Sequence, residues 1–393
     1  MSIHEAAGID SRATGTSHSI RRVAVIAVLA IALIGVLVGV ARGATPATGT
    51  VTPALQQAAD ELVAAGVPGV VMLVSDGDRT VRITSGYGNL ARSTPMRVKD
   101  RFRVASLTKT FVATVVLQLV GERRLALDDT VGRWLPGRIP NGDAISVRQL
   151  LNHTSGIYDA VEDPEILAPY LAGDLTHFTA PDEVVNVAAA HGPLFPPGSS
   201  WSYSNTNYFV LGMIVEAATG NTIGSELRDR IFRPLKLRHT TFPDSPRITG
   251  RHAHGYFLFG EPPLVDVTVF SPSLFWAGGG MVSTAADSAR FYRALLRGRL
   301  LGPDLLEAML TIDPVAMDPS GSGSGFALGL QKEGRFPCGE AWGHTGELPG
   351  YEAYAWNSKN GDRQVVVLIN TSGLAEPARQ ALNNLLVMAY CSR

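Results

Sequence analysis

The chain has 393 residues, of which 45% are hydrophobic and 18% charged, with a formal net charge of −1. This composition allows a large apolar core and argues against intrinsic disorder. The sequence has no block of Lys and Arg residues, so we expect no nucleic-acid partner.

The N-terminal region carries the clearest compositional signal. Residues 23–40 form a run of apolar and small residues, with Arg21 and Arg22 before it and Arg42 after it. A helix of this length would extend about 27 Å, close to the roughly 30 Å of a bilayer's hydrocarbon core. The run predicts either a retained transmembrane anchor or a cleaved signal. In both cases the two arginines that precede it stay in the cytoplasm and the remainder is exported.

We therefore divide the chain into four segments. They are a cytoplasmic region, an anchor or signal segment, a flexible linker and one folded domain, over residues 1–22, 23–41, 42–52 and 53–393. The folded domain is expected outside the cytoplasm. It would be held at the cell membrane by the anchor, or secreted if the signal is cleaved.

A helix and a hairpin are predicted to open the folded domain. Pro53 lies near a helix start, and an apolar rhythm continues to Val63, before Gly66 ends the helix. Residues 67–74 and 81–87 are β-rich and flank a turn of Asp and Gly, which predicts a hairpin.

The middle of the chain is predicted to be helical and rich in loops, and strands return near its end. The apolar segment 111–120 predicts a helix that runs through the core. Further helices are predicted at 205–218, 285–296 and 376–389, and strands at 326–331, 351–356 and 364–369. Because strands lie at both ends of the domain, we expect an α/β (α+β) fold. An antiparallel sheet built from both ends would be flanked by helices, with an inserted all-helical region.

The first chemical motif is the S-x-x-K sequence from Ser106 to Lys109, just before the apolar helix. On a first helical turn these two side chains share a face. A serine hydroxyl needs a neighbouring base, and a lysine in a low-dielectric pocket can shift toward neutrality and accept its proton. The helix N-terminus adds N–H groups where an oxyanion would develop. Taken alone, the motif is more often a capping serine followed by a surface lysine.

Two later motifs contain groups that could complete such a site. In the Y-S-N motif, Tyr203 can pass a proton to a leaving group if nearby cations lower its pKa, and Asn205 can hold a substrate amide. In the H-T-G motif, Gly346 lets a substrate backbone approach a strand closely. His344 and Thr345 can bind a carboxylate or position protons. Each motif alone is more often part of a turn.

The three motifs in this order resemble the signature of the serine penicillin-recognising enzymes. Residues 53–393 are similar to low-molecular-weight D-alanyl-D-alanine carboxypeptidases and class C β-lactamases, with further similar segments at 150–157, 276–283 and 343–351. The resemblance implies a β-lactamase/transpeptidase-like fold. An H-T-G in place of K-T-G resembles the motif of exported actinobacterial-type carboxypeptidases. Those proteins tend to carry a disulfide between one cysteine shortly before H-T-G and one near the C-terminus. This implies a bond between Cys338 and Cys391.

The resemblance also implies a role for each site residue. Ser106 would be the nucleophile, Lys109 its base and Tyr203 the proton relay to the leaving group. The expected substrate-binding residues are Asn205, Trp276, His344, Thr345, Gly346 and Glu347. The backbone N–H groups of Ser106 and Glu347 would form the oxyanion hole. Trp276 would line the pocket mouth or pack in the core.

Other histidines are not expected to take part in chemistry. His153 lies in a segment that is structural in the family. His252 and His254 are interpreted as parts of a surface loop rather than as metal ligands. No cofactor or metal is implied.

Two departures from the family concern the substrate's carboxylate. Lys332 or Arg335 would have to supply the cation that binds it, and Glu347 adds a negative charge beside the H-T-G strand. We further predict that His344 makes activity titrate near neutral pH, because an imidazole replaces the usual ammonium.

The leading hypothesis is a serine hydrolase that forms an acyl-Ser106 intermediate. D-Ala-D-Ala peptides of the cell wall are the favoured substrate, and β-lactams are expected to acylate the serine. One alternative is a β-lactamase or esterase of the same fold. Another is a membrane-anchored sensor, held by residues 23–40, that binds β-lactams covalently without turnover.

Overall fold

A computed structural model of the chain describes residues 51–258 and 263–391. The predicted cytoplasmic region and the anchor or signal segment lie outside these residues, as does the linker up to residue 50. No helix within the described residues is long and apolar enough to cross a membrane.

One antiparallel sheet organises the fold. The strands of the described residues are β1 (Gly69–Asp76), β2 (Arg79–Asn89), β3 (Thr94–Pro95), β4 (Phe102–Arg103), β5 (Tyr256–Phe257), β6 (Val265–Asp266), β7 (Val282–Ser283), β8 (Gly325–Phe326), β9 (Gln331–Glu333), β10 (Ala341–Leu348), β11 (Tyr351–Asn357), β12 (Arg363–Ile369) and β13 (Thr371–Ser372). Eight of them form a sheet in the order β3-β2-β1-β12-β11-β10-β9-β8. The two ends of the domain meet at the β1–β12 pair, as the sequence predicted.

Helices cover both faces of this sheet and fill the region between β4 and β8. The α-helices of the described residues are α1 (Val51–Ala64), α2 (Leu107–Gly121), α3 (Val131–Trp134), α4 (Val147–Leu151), α5 (Pro164–Leu171), α6 (Pro181–His191), α7 (Thr206–Thr219), α8 (Ile223–Leu227), α9 (Trp276–Gly279), α10 (Ala285–Leu296), α11 (Pro303–Met309) and α12 (Glu376–Cys391). The insertion is mainly helical, as predicted, although the short strands β5, β6 and β7 lie within it.

Alternation along β1 shows how the sheet separates two apolar layers. Val70 and Met72 pack with α1 and α12, whereas Val71 and Leu73 belong to the larger core on the opposite face. This is the two-residue period of a strand that is buried on both faces. Helix α2 lies in the larger core, where nearly all its side chains are buried, as its uniformly apolar sequence predicted.

The predicted strand at 326–331 is wrong. The chain forms two short strands, β8 and β9, joined by a tight connection in which the Ala327 N–H donates to the Leu330 carbonyl at 2.8 Å. Gly329 has a φ of 76°, a left-handed conformation that glycine adopts readily and that interrupts an extended run.

A disulfide secures the C-terminal helix. Cys338, just before β10, is bonded to Cys391 at the end of α12, with a Cα–Cα distance of 5.4 Å. The helix that covers one face of the sheet is therefore covalently tied to the segment that enters the H-T-G strand.

Candidate active site

Ser106 lies at the N-terminus of α2, directly after a strained residue. Ala105 has a φ of 46°, and a left-handed conformation costs an L-residue about 1–2 kcal/mol. The Thr108 hydroxyl donates to the Ala105 carbonyl at 2.7 Å and accepts the Met281 N–H at 3.2 Å. Pairing of β4 with β7 fixes the same turn. The serine is thus held by its surroundings rather than by local backbone preference.

The Lys109 amine is fully buried and faces the serine. Its Nζ lies 3.0 Å from Ser106 Oγ and 2.7 Å from both Asn205 Oδ1 and the Gly278 carbonyl. A neutral amine would donate to the latter two oxygens and turn its lone pair toward Ser106 Oγ. Burial, opposed by the charge of Asp159, lowers the pKa of Lys109 to about 7. The geometry and the pKa therefore suit a general base.

Tyr203 contacts the serine from another side. Its hydroxyl donates to Ser106 Oγ at 2.9 Å. Burial raises the pKa of Tyr203 well above its ordinary value, with the Ser106 hydrogen bond opposing that shift. The expectation that nearby cations lower this pKa is therefore not met. The phenol stays protonated and can act as a hydrogen-bond donor and proton carrier.

The His153 side chain packs against the ring of Tyr203. Its ring stacks on Tyr203 with centroids 4.3 Å apart, and its Nδ1 accepts the Ser204 N–H at 3.2 Å. Burial, together with the charge of Lys109, lowers the pKa of His153 well below its ordinary value. The imidazole is a neutral packing element, in keeping with the structural role expected for it.

Strand β10 forms the opposite wall of the site. A Cβ on Gly346 would lie 2.9 Å from Ser106 N and 2.5 Å from the Val104 carbonyl, so only glycine allows this approach. The Thr345 N–H and hydroxyl are 2.9 and 3.2 Å from Gln331 Oε1. The strand backbone and the start of α2 are therefore adjacent.

The prediction that His344 titrates near neutral pH is wrong. Its side chain is buried, with Nδ1 in contact with the Thr345 carbonyl and its ring near that of Phe326. Burial and the charge of Lys109 lower the pKa of His344 to about 3. The imidazole is therefore neutral throughout the physiological range, because burial disfavours its charged form and the charge of Lys109 adds to that effect.

Both cations considered for a substrate carboxylate already have acidic partners. Lys332 Nζ lies 2.9 Å from Glu340, and the Arg335 guanidinium lies 2.6 Å from Glu333. Neither is a free cation at the site. Glu340 reaches Lys332 because β9 pairs with β10, a contact that the sequence does not show, whereas Glu333 is only two residues from Arg335.

The charge of Glu347 acts on a neighbouring acidic residue, Glu352. Glu347 is directly opposite Glu352 in the β10–β11 register, so their side chains share a face of the sheet. Glu352 is buried and bound by Arg379 at 2.8 and 3.0 Å. Its pKa is raised to about 7, by burial first and by Glu347 second. The backbone of Glu347, rather than its carboxylate, follows Gly346 along the site wall.

Trp276 does not join the catalytic cluster. Its ring lies 5.7 Å from that of Phe209, and a Cβ on Gly212 would be 2.7 Å from the indole. It lines a cavity of about 830 Å³ bordered by α8, and neither Ser106 nor Lys109 is among the lining residues. The indole thus packs behind the catalytic residues.

Sequence reasoning missed three contributors to the site. Asp159 Oδ2 accepts the Nδ2–H of Asn205 at 2.8 Å, Gly278 supplies a carbonyl to the lysine, and the Phe326 ring lies 5.7 Å from that of Tyr203. Asp159 follows the family-like segment at 150–157, which was a usable signal. Gly278 lies within the family-like segment at 276–283, but its role as a backbone acceptor could not be read from the residue type, since any residue has a carbonyl.

The described residues contain no group of three or more His, Cys, Asp or Glu side chains that could hold a metal ion. His254 is instead paired with Asp266 at 2.8 Å, and its ring stacks with that of His252. These histidines occupy a loop near β5.

A serine between a buried amine and a protonated phenol, on this sheet-and-helix frame, defines a serine hydrolase. The family model described as "Beta-lactamase" matches residues 55–389, and the chain belongs to this family.

The similar proteins include both penicillin-binding proteins and D-aminopeptidases, by name. The chain is 27% identical over 323 residues to a Bacillus subtilis protein named as a penicillin-binding protein, PbpX, covering 82% of this chain and 75% of that one. It is 26% identical over 338 residues to a D-aminopeptidase of Cereibacter sphaeroides, covering 84% of this chain but only 62% of the relative. The chain thus spans less than two-thirds of that D-aminopeptidase.

The similar solved structures include further proteins named for acting on D-amino-acid compounds. A D-stereospecific amidohydrolase from Streptomyces sp. is 38% identical, with a TM-score of 0.79, covering 87% of this chain and 99% of that one. A D-amino acid amidase from Ochrobactrum anthropi in complex with D-phenylalanine is 30% identical, with a TM-score of 0.75, covering 87% and 99%.

Proposed function

We propose that this hydrolase cleaves the amide bond of D-amino-acid derivatives that carry a free amino group, through an acyl-Ser106 intermediate. Its substrates would be D-amino-acid amides or peptides with an N-terminal D-residue. The observation that carries this proposal is the charge around the site, which favours a substrate ammonium over a substrate carboxylate.

The charges differ between the two sides of the pocket. On the β9 side, the Lys332 and Arg335 cations are paired with glutamates and are not free to bind a carboxylate. On the Tyr203 side, Asp159 and Glu162 are close enough for their charges to add to burial in raising the pKa of the phenol. Carboxylates in a partly dry pocket attract an ammonium and repel a carboxylate. Similarity to a D-stereospecific amidohydrolase and a D-amino acid amidase supports the same substrate class.

The proposed reaction uses the three groups around Ser106 Oγ. As Oγ attacks the amide carbon, its proton passes to neutral Lys109, 3.0 Å away. Tyr203, protonated and 2.9 Å from Oγ, gives its proton to the departing nitrogen and is reprotonated from Lys109. Water then attacks the acyl-serine with the same groups acting in reverse. The N–H groups of Ser106 and Glu347 would bind the oxyanion, because Gly346 brings the two backbones together.

A second candidate is the carboxypeptidase hydrolysis of D-Ala-D-Ala peptides. Similarity to a protein named as a penicillin-binding protein favours it, and β-lactams are expected ligands of either enzyme. It needs a cation for the terminal carboxylate, and that requirement separates the two candidates experimentally.

The decisive experiment compares kcat/KM for D-phenylalanine amide, its N-acetyl derivative, its L-enantiomer and an N-acylated D-Ala-D-Ala peptide. Our proposal expects the free D-amide to be cleaved at least about tenfold faster than each of the others, with Ser106→Ala inactive on all four. Faster cleavage of the D-Ala-D-Ala peptide would instead establish the carboxypeptidase. Cleavage indifferent to N-acetylation would contradict the role given to the carboxylates.

The compartment of action is also a proposal. The Cys338–Cys391 disulfide supports work in an oxidising environment outside the cytoplasm. Fractionation of cells that produce the full chain tests this, and recovery in the cytoplasm with both thiols reduced would contradict it.

A further inference from the structure

A carboxylate continues the hydrogen-bond chain that begins at the nucleophile. From Ser106 Oγ the chain runs to Lys109 Nζ and then to Asn205 Oδ1, with the last contact at 2.7 Å. The other end of the same amide, Asn205 Nδ2, donates to Asp159 Oδ2 at 2.8 Å. Asp159 is half-buried and accepts the Val161 N–H at 3.3 Å, which fixes its own position. Among the described residues, no other acidic side chain bonds to this asparagine.

From this arrangement we infer that Asp159 is a positioning residue for the proposed hydrolysis, because its carboxylate fixes which end of the Asn205 amide faces Lys109. An amide has a donor end and an acceptor end of nearly equal size. A carboxylate can only accept, so Nδ2 must turn toward Asp159 and Oδ1 toward Lys109. With the amide reversed, two donors would face each other at Lys109 Nζ. The base would lose one of the two carbonyl acceptors that hold its lone pair toward the serine.

The charge of Asp159 has a second effect on the same amine. It opposes the lowering of the Lys109 pKa by burial. The histidines near the amine, His153 and His344, have lowered pKa values and stay neutral. Tyr203 and Tyr208, whose rings lie 4.9 and 5.4 Å from Nζ, have raised pKa values and also stay neutral.

One further acidic group belongs to this electrostatic neighbourhood. Glu162 lies on the turn after Asp159, and burial followed by the Asp159 charge raises its pKa to about 7. It makes no hydrogen bond to Asn205. Glu162→Gln is therefore a matched control, in which a neighbouring carboxylate is lost while the amide keeps its partner.

Two substitutions separate positioning from charge. In Asp159→Asn, the new Oδ1 can still accept from Asn205 Nδ2, but the negative charge is gone. In Asp159→Ala, both are lost. We expect kcat within about threefold of wild type for the asparagine variant and about 10- to 100-fold lower for the alanine variant, since small misplacements of a catalytic group have effects of this size. Both variants should lower the pKa of Lys109 by about half a unit or more.

The Lys109 pKa can be measured without any substrate. The full chain labelled with [ε-13C]lysine is titrated by NMR, and the Lys109 signal is identified by its loss in Lys109→Arg. The Lys109 titration should move to lower pH for both Asp159 variants and stay in place for Glu162→Gln. The acid limb of kcat/KM should move in parallel for the two Asp159 variants. Melting temperatures confirm that each variant is folded.

The outcome that overturns the inference is a folded Asp159→Ala enzyme with wild-type kcat, or one that behaves like Asp159→Asn. The kinetic measurement rests on the proposed function, but the NMR titration does not. If wild type cleaved no D-amino-acid amide yet was acylated by a penicillin, the proposed function would fail. The acylation rates of the same variants would then test Asp159 independently.

Discussion

Arg103 and Lys109 lie on either side of the nucleophile, and each buries a cation without a directly bound carboxylate in the described part of the chain. Arg103 donates from Nη2 to the carbonyls of Pro246 and Phe270 at 2.6 and 2.7 Å, while its Nε has no partner. Lys109 is held by one carbonyl, one amide oxygen and the serine. Burial lowers the pKa of both groups.

The same desolvation has opposite consequences for the two side chains. A guanidinium begins from so high a pKa that it remains charged even when buried, so Arg103 can only act as a fixed donor. An amine starts lower and reaches a pKa of about 7, where it can exchange protons. The comparison shows that burial alone does not make a base. The chemical identity of the buried cation decides between a structural anchor and a catalyst.

The largest effect should come from removing the amine. Lys109→Met fills a similar volume without a base, and we expect kcat/KM to fall by about 10²- to 10⁴-fold. Stability should be unchanged or higher, because a buried cation without a carboxylate partner is costly. Lys109→Arg is the matched control: it keeps the charge, cannot deprotonate and should be equally inactive. Activity within tenfold of wild type in either variant would remove lysine from the role of base.

Replacement of Arg103 should lower the free energy of unfolding and leave the catalytic rate unchanged. Arg103→Met leaves the carbonyls of Pro246 and Phe270 without their donor, at a cost of about 1–3 kcal/mol for each unsatisfied group. Urea unfolding should show this loss, while kcat per folded molecule stays within a few-fold of wild type. An unfolding free energy within about 0.5 kcal/mol of wild type would show that the guanidinium is dispensable.

The pH profile should identify which buried base titrates. Because the reaction needs neutral Lys109, kcat/KM should rise with pH through about 7 and level off above it. His344, with a pKa lowered to about 3, contributes no limb above pH 5. His344→Gln should therefore keep the limb of wild type. Loss of that limb in His344→Gln would restore the histidine as the titrating group.

Local patterns predicted much of this site, and long-range contacts account for what they missed. The apolar run after Ser106 predicted a buried helix, and burial is what makes Lys109 a base. The lowered pKa of His344 depends first on its burial and then on the charge of Lys109, which is far away in sequence. Arg103 looked like any strand residue, because its acceptors are carbonyls of a distant loop. The strand predicted at 326–331 failed at one glycine whose φ is positive.

The pairing of β1 with β12 also bears on how quickly the enzyme becomes competent. The first long strand of the sheet pairs with the adjacent β2 on one side, but its other neighbour, β12, lies near the end of the chain. Gly346 likewise meets Ser106 from far along the chain. Contacts of such wide sequence separation slow folding, since long loops must close before these contacts form. A nascent chain therefore has no oxyanion wall until nearly all of it has emerged. The enzyme would remain inert during synthesis.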